Sequence, residues 1–289
     1  MSDAPSPDVL RQLVGRLLAR WRSRAGLSLE QVVAQAKPHI RLSPPTLSRW
    51  ESGVIPTTGK ARRTKIEPLL RLYGATDDEV AATLRLAERA AENPWWYEYR
   101  AELPEWTRTG IAYADSATLI HVYEPHRVPG LLQTADYARA LLGTGPGVDR
   151  RIEVLMRRQA ILNRPHPPQL WALLDESVLR RQVSDPAVMQ QQVKHLLELS
   201  TRPRITIQVV PLAAGPNRRT AQPFNIFRLA PIELPDVVER QMLDDHDFTD
   251  DQHTVAQYMD WWGQATEFQS PAETQSLLSA IIAESGDTA

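Results

Sequence analysis

The stretch Ser43-Pro44-Pro45-Thr46-Leu47-Ser48-Arg49-Trp50-Glu51-Ser52-Gly53 decides how this chain is read. Ser43 is a good N-cap, and Pro44 suits the first helical position, where an amide hydrogen would have no partner. Pro45 removes a second donor, so the first amide left for the Ser43 hydroxyl is that of Thr46. Leu47 and Trp50, three apart, share a face that should point inward, while Thr46, Ser48 and Arg49 lie off it. Gly53 stands where a left-handed residue ends a helix, and Pro56 follows, unable to resume it. A helix this short is not stable alone, so its neighbours must hold it.

The flanking sequence supplies them. Met1 to Pro7 is Pro/Ser-rich and expected to be disordered. Asp8 can cap a helix to about Ala25, with Leu10, Val14, Leu17, Leu18 and Trp21 as its apolar stripe and Gly26 as its stop. Ser28 opens a second helix with Leu29, Val32, Val33 and Ala36 apolar. A loop from Lys37 to Leu42, broken by Pro38, leads to the quoted stretch. Thr57 or Thr58 opens a fourth helix, Lys60 to Tyr73, with Ile66, Leu69, Leu70 and Tyr73 apolar. Thr76 and Glu79 form a capping box for a fifth.

The 289 residues suggest about two domains, here 1–92 and 93–289. Hydrophobic residues make up 42% and charged residues 24%, enough for real cores. With no cysteines, disulfides and thiolate metal sites are excluded. No apolar run is long enough for a membrane span and no secretory signal opens the chain, so no membrane partner and a cytoplasmic location are expected. The net charge of −2 hides an asymmetry: residues 1–75 carry thirteen Lys/Arg against five Asp/Glu, a balance of +8, which leaves −10 for the rest. A small basic domain beside a larger acidic one points to a polyanion-binding module with a separate partner or control domain.

Five short helices with a basic balance match the helix-turn-helix layout. Here the sequence resembles the XRE family, the phage-repressor type of helix-turn-helix protein. Arg22, Ala25-Gly26-Leu27-Ser28 and Thr46-Leu47-Ser48-Arg49-Trp50-Glu51-Ser52-Gly53 carry the resemblance. It implies that Arg22 pairs with Glu51, tying the first helix to the recognition helix and aiming the arginine toward phosphate. It also places the base-reading positions on Pro44, Pro45 and Arg49. The connection between helices two and three is about four residues longer than the family's tight turn. The prolines cannot hydrogen-bond base edges, though they can touch a thymine methyl. Arg49 is therefore the best single base reader, against guanine, or else a phosphate contact. Ser43, Thr46 and Ser48 are weaker contacts, and Arg41, Lys60, Arg62 and Arg63 are phosphate candidates. Leu47, Trp50 and Glu51 support the helix from within.

Beyond Asn93-Pro94 lies an aromatic run, Trp95, Trp96, Tyr97, Tyr99 and Trp106, read as a core cap of the second domain or as a partner surface. A helix from Ile111 to about Ile120 is expected to run into a strand His121–Glu124. Pro and Gly make Glu124 to Thr134 a defined loop, and Thr134 caps a helix to Leu142. Further helices are expected at Asp149–Asn163, from Asp185-Pro186 to Leu199, from Thr249 through Trp262, and from Ser270-Pro271. Further strands are expected at Leu170–Leu174, Ile205–Val210, Phe224–Leu229 and Val237–Met242. The fold class is thus an all-α five-helix domain followed by an α+β domain.

With the N-terminal part, this half resembles the large C-terminal domain, of no settled function, of a group of actinobacterial XRE-type regulators. The residues that carry it include Trp95-Trp96, Tyr123-Glu124-Pro125, Val128-Pro129-Gly130-Leu131-Leu132-Gln133-Thr134, Arg157-Arg158-Gln159, Asp175-Glu176 and Ile207-Gln208-Val209-Val210-Pro211. The resemblance implies an antitoxin-like transcription regulator, with a short protein encoded nearby as a candidate partner. A double-stranded DNA partner and a homodimer are expected, since one short helix reads few bases. The alternative is a protein-interaction module with secondary DNA binding.

Nothing in the sequence asks for an enzyme, and no catalytic residue or cofactor is assigned. Asp244-Asp245-His246-Asp247 with Asp250, Asp251 and His253 matches no metal-ligand spacing closely and reads as a solvated acidic turn. Asp175-Glu176 reads as a turn cap rather than an acid pair. His121 and His126 flank Glu124 without a nucleophile. Neither a P-loop nor GxGxxG is present among the 13 glycines.

Overall fold

The computed structural model describes residues 5–37, 40–56, 58–183, 185–214, 222–229, 234–242, 245–267 and 269–286. Met1 to Ala4, Pro38, Thr57 and Asp244 lie outside the described residues, and so do the readings placed on them. By internal contact the chain divides between Tyr97 and Glu98 into two compact units.

The N-terminal unit is all-helical: α1 (Pro7–Arg24), α2 (Leu29–Ala36), α3 (Pro44–Glu51), α4 (Gly59–Ala61), α5 (Glu67–Leu72) and α6 (Asp77–Arg89). The helix begins at Pro7, inside the stretch expected to be disordered. Its cap is Ser6 rather than Asp8, because Ser6 Oγ accepts from the Val9 amide and Pro7 fills the first helical position. Ser28 with Gln31 and Thr76 with Glu79 form complete capping boxes. Thr58 caps α4 through the Ala61 amide. A π turn, Arg62–Ile66, joins α4 to α5 into one continuous helix. Pro68 sits just past it and explains it. A proline ring lacks the N–H and crowds the carbonyl four residues back, so the chain widens by one residue there. Val14, Leu18, Val32, Leu47, Ile66, Leu69 and Leu70 form the core.

The second unit is built on a six-stranded mixed sheet in the order β3-β2-β1-β4-β5-β6. The strands are β1 (Ala117–Glu124), β2 (Gln169–Asp175), β3 (Ile205–Val210), β4 (Phe224–Leu229), β5 (Val237–Gln241) and β6 (His246–Thr249). The first three run parallel, and β4, β5 and β6 are added antiparallel. The helices are α7 (Glu105–Ser116), α8 (Ala135–Leu142), α9 (Val148–Gln159), α10 (Glu176–Arg180), α11 (Pro186–Ser200), α12 (Gln252–Ala265) and α13 (Pro271–Gly286).

Three expectations need correction. The first helix starts at Glu105 and gives way at Ala117, so residues 117–120 are strand, not helix. Pairing on both sides, with β2 and β4, outweighs the local helical signal of Ala114 to Ala117. β6 occupies part of the presumed acidic turn, since His246 and Asp247 find partners on β5. Thr249 belongs to that strand, and the cap of α12 is Asp251, which accepts from the Thr254 amide at 2.9 Å.

Strand alternation separates the two faces of the sheet. His121 and Tyr123 of β1, Phe224 and Ile226 of β4 and Val238 of β5 point to one face, where α12 covers them with Tyr258, Trp261 and Trp262. The rings of His121 and Trp262 stack 4.5 Å apart and 1° from parallel. Ile120, Val122, Glu124, Asn225, Phe227, Glu239 and Gln241 point to the other face and wall a cavity. The edge strand β3 is closed off by α13, whose Thr274 hydroxyl accepts from the Val209 amide.

Candidate nucleic-acid interface

α3 forms as its local chemistry requires. The Ser43 hydroxyl accepts from the Thr46 amide at 3.4 Å, the first donor left after the two prolines. Gly53 ends the helix with φ +100, a conformation costly for other residues. Leu47 and Trp50 are buried at 0% and 7% exposure. Lys65 lies over the Trp50 ring, 5.7 Å from its centroid.

Two devices fix α3 on α1. The first is Gly15, where the helices meet so closely that a side chain has no room. A Cβ there would lie 2.6 Å from the Trp50 carbonyl oxygen and 2.7 Å from that of Glu51. The second is a bidentate pair. Arg22 Nε donates to Glu51 Oε1 at 2.7 Å, and Arg22 Nη2 donates to Oε2 at 2.9 Å. Nη1 donates to the Leu27 carbonyl at 2.9 Å, tying the turn before α2 to the same point. Glu51 raises the Arg22 guanidinium further above its ordinary value. Three of the five N–H groups of Arg22 are thus spent inside the unit, and one remains on each terminal nitrogen.

The outer side of α3 is polar and open. Arg41, Ser43, Pro45, Ser48 and Arg49 are exposed, and Pro44 and Thr46 are half-buried. The Thr46 hydroxyl is 2.8 Å from that of Ser43, so it is engaged in the cap. Lys60 and Arg63 are exposed on the helix that follows. Arg62 differs: its side chain is only 13% exposed and lies 3.8 Å from Glu88, which draws it away from an outer surface. The geometry therefore removes Arg62 from the set of open cations.

Gly15 and Lys65 had no place in the sequence reading. A glycine between Val14 and Leu18 on an apolar helical stripe was the available signal, since glycine inside a helix usually has a packing reason.

The polar groups singled out in the second unit serve structure. Asp175 Oδ1 accepts from the Ser177 amide and caps α10. Glu176 Oε1 accepts from Arg180 at 2.6 Å, and Oε2 accepts from the Leu212 amide at 2.8 Å. His121 is buried away from Glu124, and burial pushes its imidazole down to about 4. Glu124 accepts from the His126 amide and lies 3.5 Å from Arg127. His246 Nδ1 donates to Glu239 Oε1 at 2.6 Å, and Asp247 pairs with Arg240. Among the described residues no group of His, Asp and Glu can hold a metal ion, and no helix is long and apolar enough to cross a membrane.

A helix-turn-helix domain model matches residues 13–83, and the model of a domain of unknown function, DUF5753, matches residues 107–280. No match is found among curated proteins or among solved structures.

Proposed function

The chain belongs to the DUF5753 family and carries a helix-turn-helix domain ahead of it, and from that premise we propose that it is a sequence-specific DNA-binding transcription regulator. The observation that carries the reading is the double fixing of α3, by Gly15 and by the Arg22–Glu51 pair, which leaves Ser48 and Arg49 presented outward on a rigid helix. Arg49 reads a base edge in the major groove, where guanine offers its fork two acceptors. Pro44 and Pro45 give apolar contact. Arg41, Ser43, Thr46, Ser48, Lys60 and Arg63 bind phosphate or sugar, and Arg22 adds a phosphate contact through its two remaining N–H groups. The protein works in the cytoplasm as a homodimer on a two-fold operator. The second unit supplies dimerisation, effector sensing or an antitoxin-like contact with a small partner protein.

Fluorescence anisotropy with the protein's own upstream DNA, against scrambled DNA of equal length over a salt series, tests this. The expected result is a preference of about a thousandfold for the native fragment. Equal, weak binding to both that collapses with salt would defeat sequence-specific reading.

A further inference from the structure

The second unit holds a cavity of about 580 Å³ between the sheet and helices α7, α8 and α9. That volume is within the roughly 300–1,000 Å³ typical of small-molecule sites. Its walls are chiefly apolar, with Trp106, Leu131 and Phe227 among them. Leu141 and Leu142, at 40% and 38% exposure, stand at its mouth.

One wall is the loop Val128 to Thr134, and it is built rigid. Gln159 Nε2 donates to the carbonyls of Gly130 (2.9 Å) and Gln133 (2.7 Å). Gln133 Nε2 donates to Val128 O, the Val128 amide donates to the Tyr137 hydroxyl, and Gln192 takes the Leu132 carbonyl and the Thr134 amide. A loop held by so many side-chain bonds keeps its cavity open without a ligand, which lowers the ordering cost of binding.

The other wall is α9, and its composition is the anomaly. The residues it turns to the cavity are Arg151, Val154, Leu155 and Arg158, spaced i, i+3, i+4 and i+7. That is the spacing of a buried apolar stripe, yet both ends are arginine. Arg151 is exposed. Arg158 is half-buried: its Nε is buried with no hydrogen-bond partner, and among the described residues its side chain makes no ion pair. The two buried carboxylates nearby are already used, Glu124 by Arg127 and Glu239 by Asn225 and His246. Burial pushes the Arg158 guanidinium down from its ordinary value, and Glu239 offsets this only in part. The C-terminal end of α9 tolerates a cation but leaves the Arg158 Nε–H with no acceptor among the described residues. A half-buried cation with an unpartnered Nε, only partly offset by Glu239, leaves room for an incoming anion to pair with it.

We propose that this cavity binds a small amphipathic anion, an apolar body ending in one anionic head group, with Arg158 as its anchor and Arg151 at its mouth. The inference names a ligand class for the effector role and rests on that reading only for its purpose. Binding is measured without DNA, so failure to bind ligand and failure to bind DNA are separate results.

The test is isothermal titration calorimetry of the full-length protein with decanoate, decanol and decylamine, each below its aggregation range. Decanoate is expected to bind saturably, one per chain, and at least tenfold tighter than the other two. Arg158→Met should remove that advantage and leave decanol binding unchanged. Leu142→Glu changes only an exposed position at the mouth. It should weaken decanoate severalfold with the thermal midpoint unchanged, and it decides the matter if Arg158→Met does not fold. Decanoate binding no tighter than decanol or decylamine, or decanoate affinity untouched by the variants that fold, overturns the proposal.

Discussion

Gly15 and Trp50 meet backbone to backbone: a Cβ on Gly15 would stand 2.6 Å from the Trp50 carbonyl oxygen, closer than real contacts allow. The atoms in the way are main chain, so no rotamer change makes room. Gly15→Ala gains about 1 kcal/mol of helix propensity and loses more to overpacking, typically ~1–3 kcal/mol. Urea unfolding of the full chain should show a lower midpoint for the transition of the N-terminal unit. A midpoint equal to or above that of the parent would mean that α1 and α3 are free to separate.

The Arg22–Glu51 pair is mostly screened from water, with side chains 20% and 11% exposed. A double-mutant cycle with Arg22→Met and Glu51→Gln should give a coupling of roughly 1–3 kcal/mol, above the value for a surface pair. Each single variant should also weaken DNA binding, since α3 loses its fixed angle. Additive effects on stability would show that the pair does not act as a unit.

The Arg49 side chain makes no hydrogen bond or ion pair among the described residues and is exposed. Arg49→Ala should cost about 1–3 kcal/mol in operator affinity and relax one base position in a selection from randomised DNA. Arg63→Ala should instead weaken all sequences alike and lower the salt slope by about one. Unchanged affinity and preference in the first variant would remove Arg49 from the reading set.

His121 makes the second unit sensitive to acid. Burial holds its imidazole at about 4, below the ordinary value, so the unfolded chain takes up the proton first as pH falls. Its contribution is complete above about pH 6.5 and is lost between 6.5 and 4, by up to roughly 3 kcal/mol. Asp115 works in the opposite sense. Burial raises it to about 6, so its contribution is present in acid and lost as pH rises through that value. His121→Phe keeps a ring against Trp262 and removes only the first effect. The stability of the parent relative to this variant should fall from pH 7 to pH 4. Parallel curves would show that His121 does not titrate differently in the folded state.

The recognition helix was legible in the sequence because its signals are local: Ser43, two prolines, Gly53 and an apolar pair three apart. The strands Ile205–Val210 and Phe224–Leu229 were legible for the same reason, as dense β-branched and aromatic runs. What escaped depends on partners far along the chain. Gly15 has meaning only against Trp50. The start of β1 is set by pairing with β2 and β4 rather than by Ala117 and Thr118 themselves. β6 is polar, and only the acceptors and cations of β5 make His246 and Asp247 into a strand. The cavity stripe of α9 is hidden in the sequence because it ends in Arg151 and Arg158, and only the sheet and the loop Val128 to Thr134 facing it make those arginines cavity residues.

The π turn at Arg62–Ile66 bears on how relatives of this chain should be aligned. A π turn stores one residue more than the same rise of ordinary helix, and here it keeps Ile66, Leu69 and Leu70 facing inward despite Pro68. A relative with another residue at the Pro68 position needs no such slack. It can drop one residue between the positions of Lys60 and Glu67 and still bury the same three side chains. An ungapped alignment across that stretch would then pair buried positions with exposed ones.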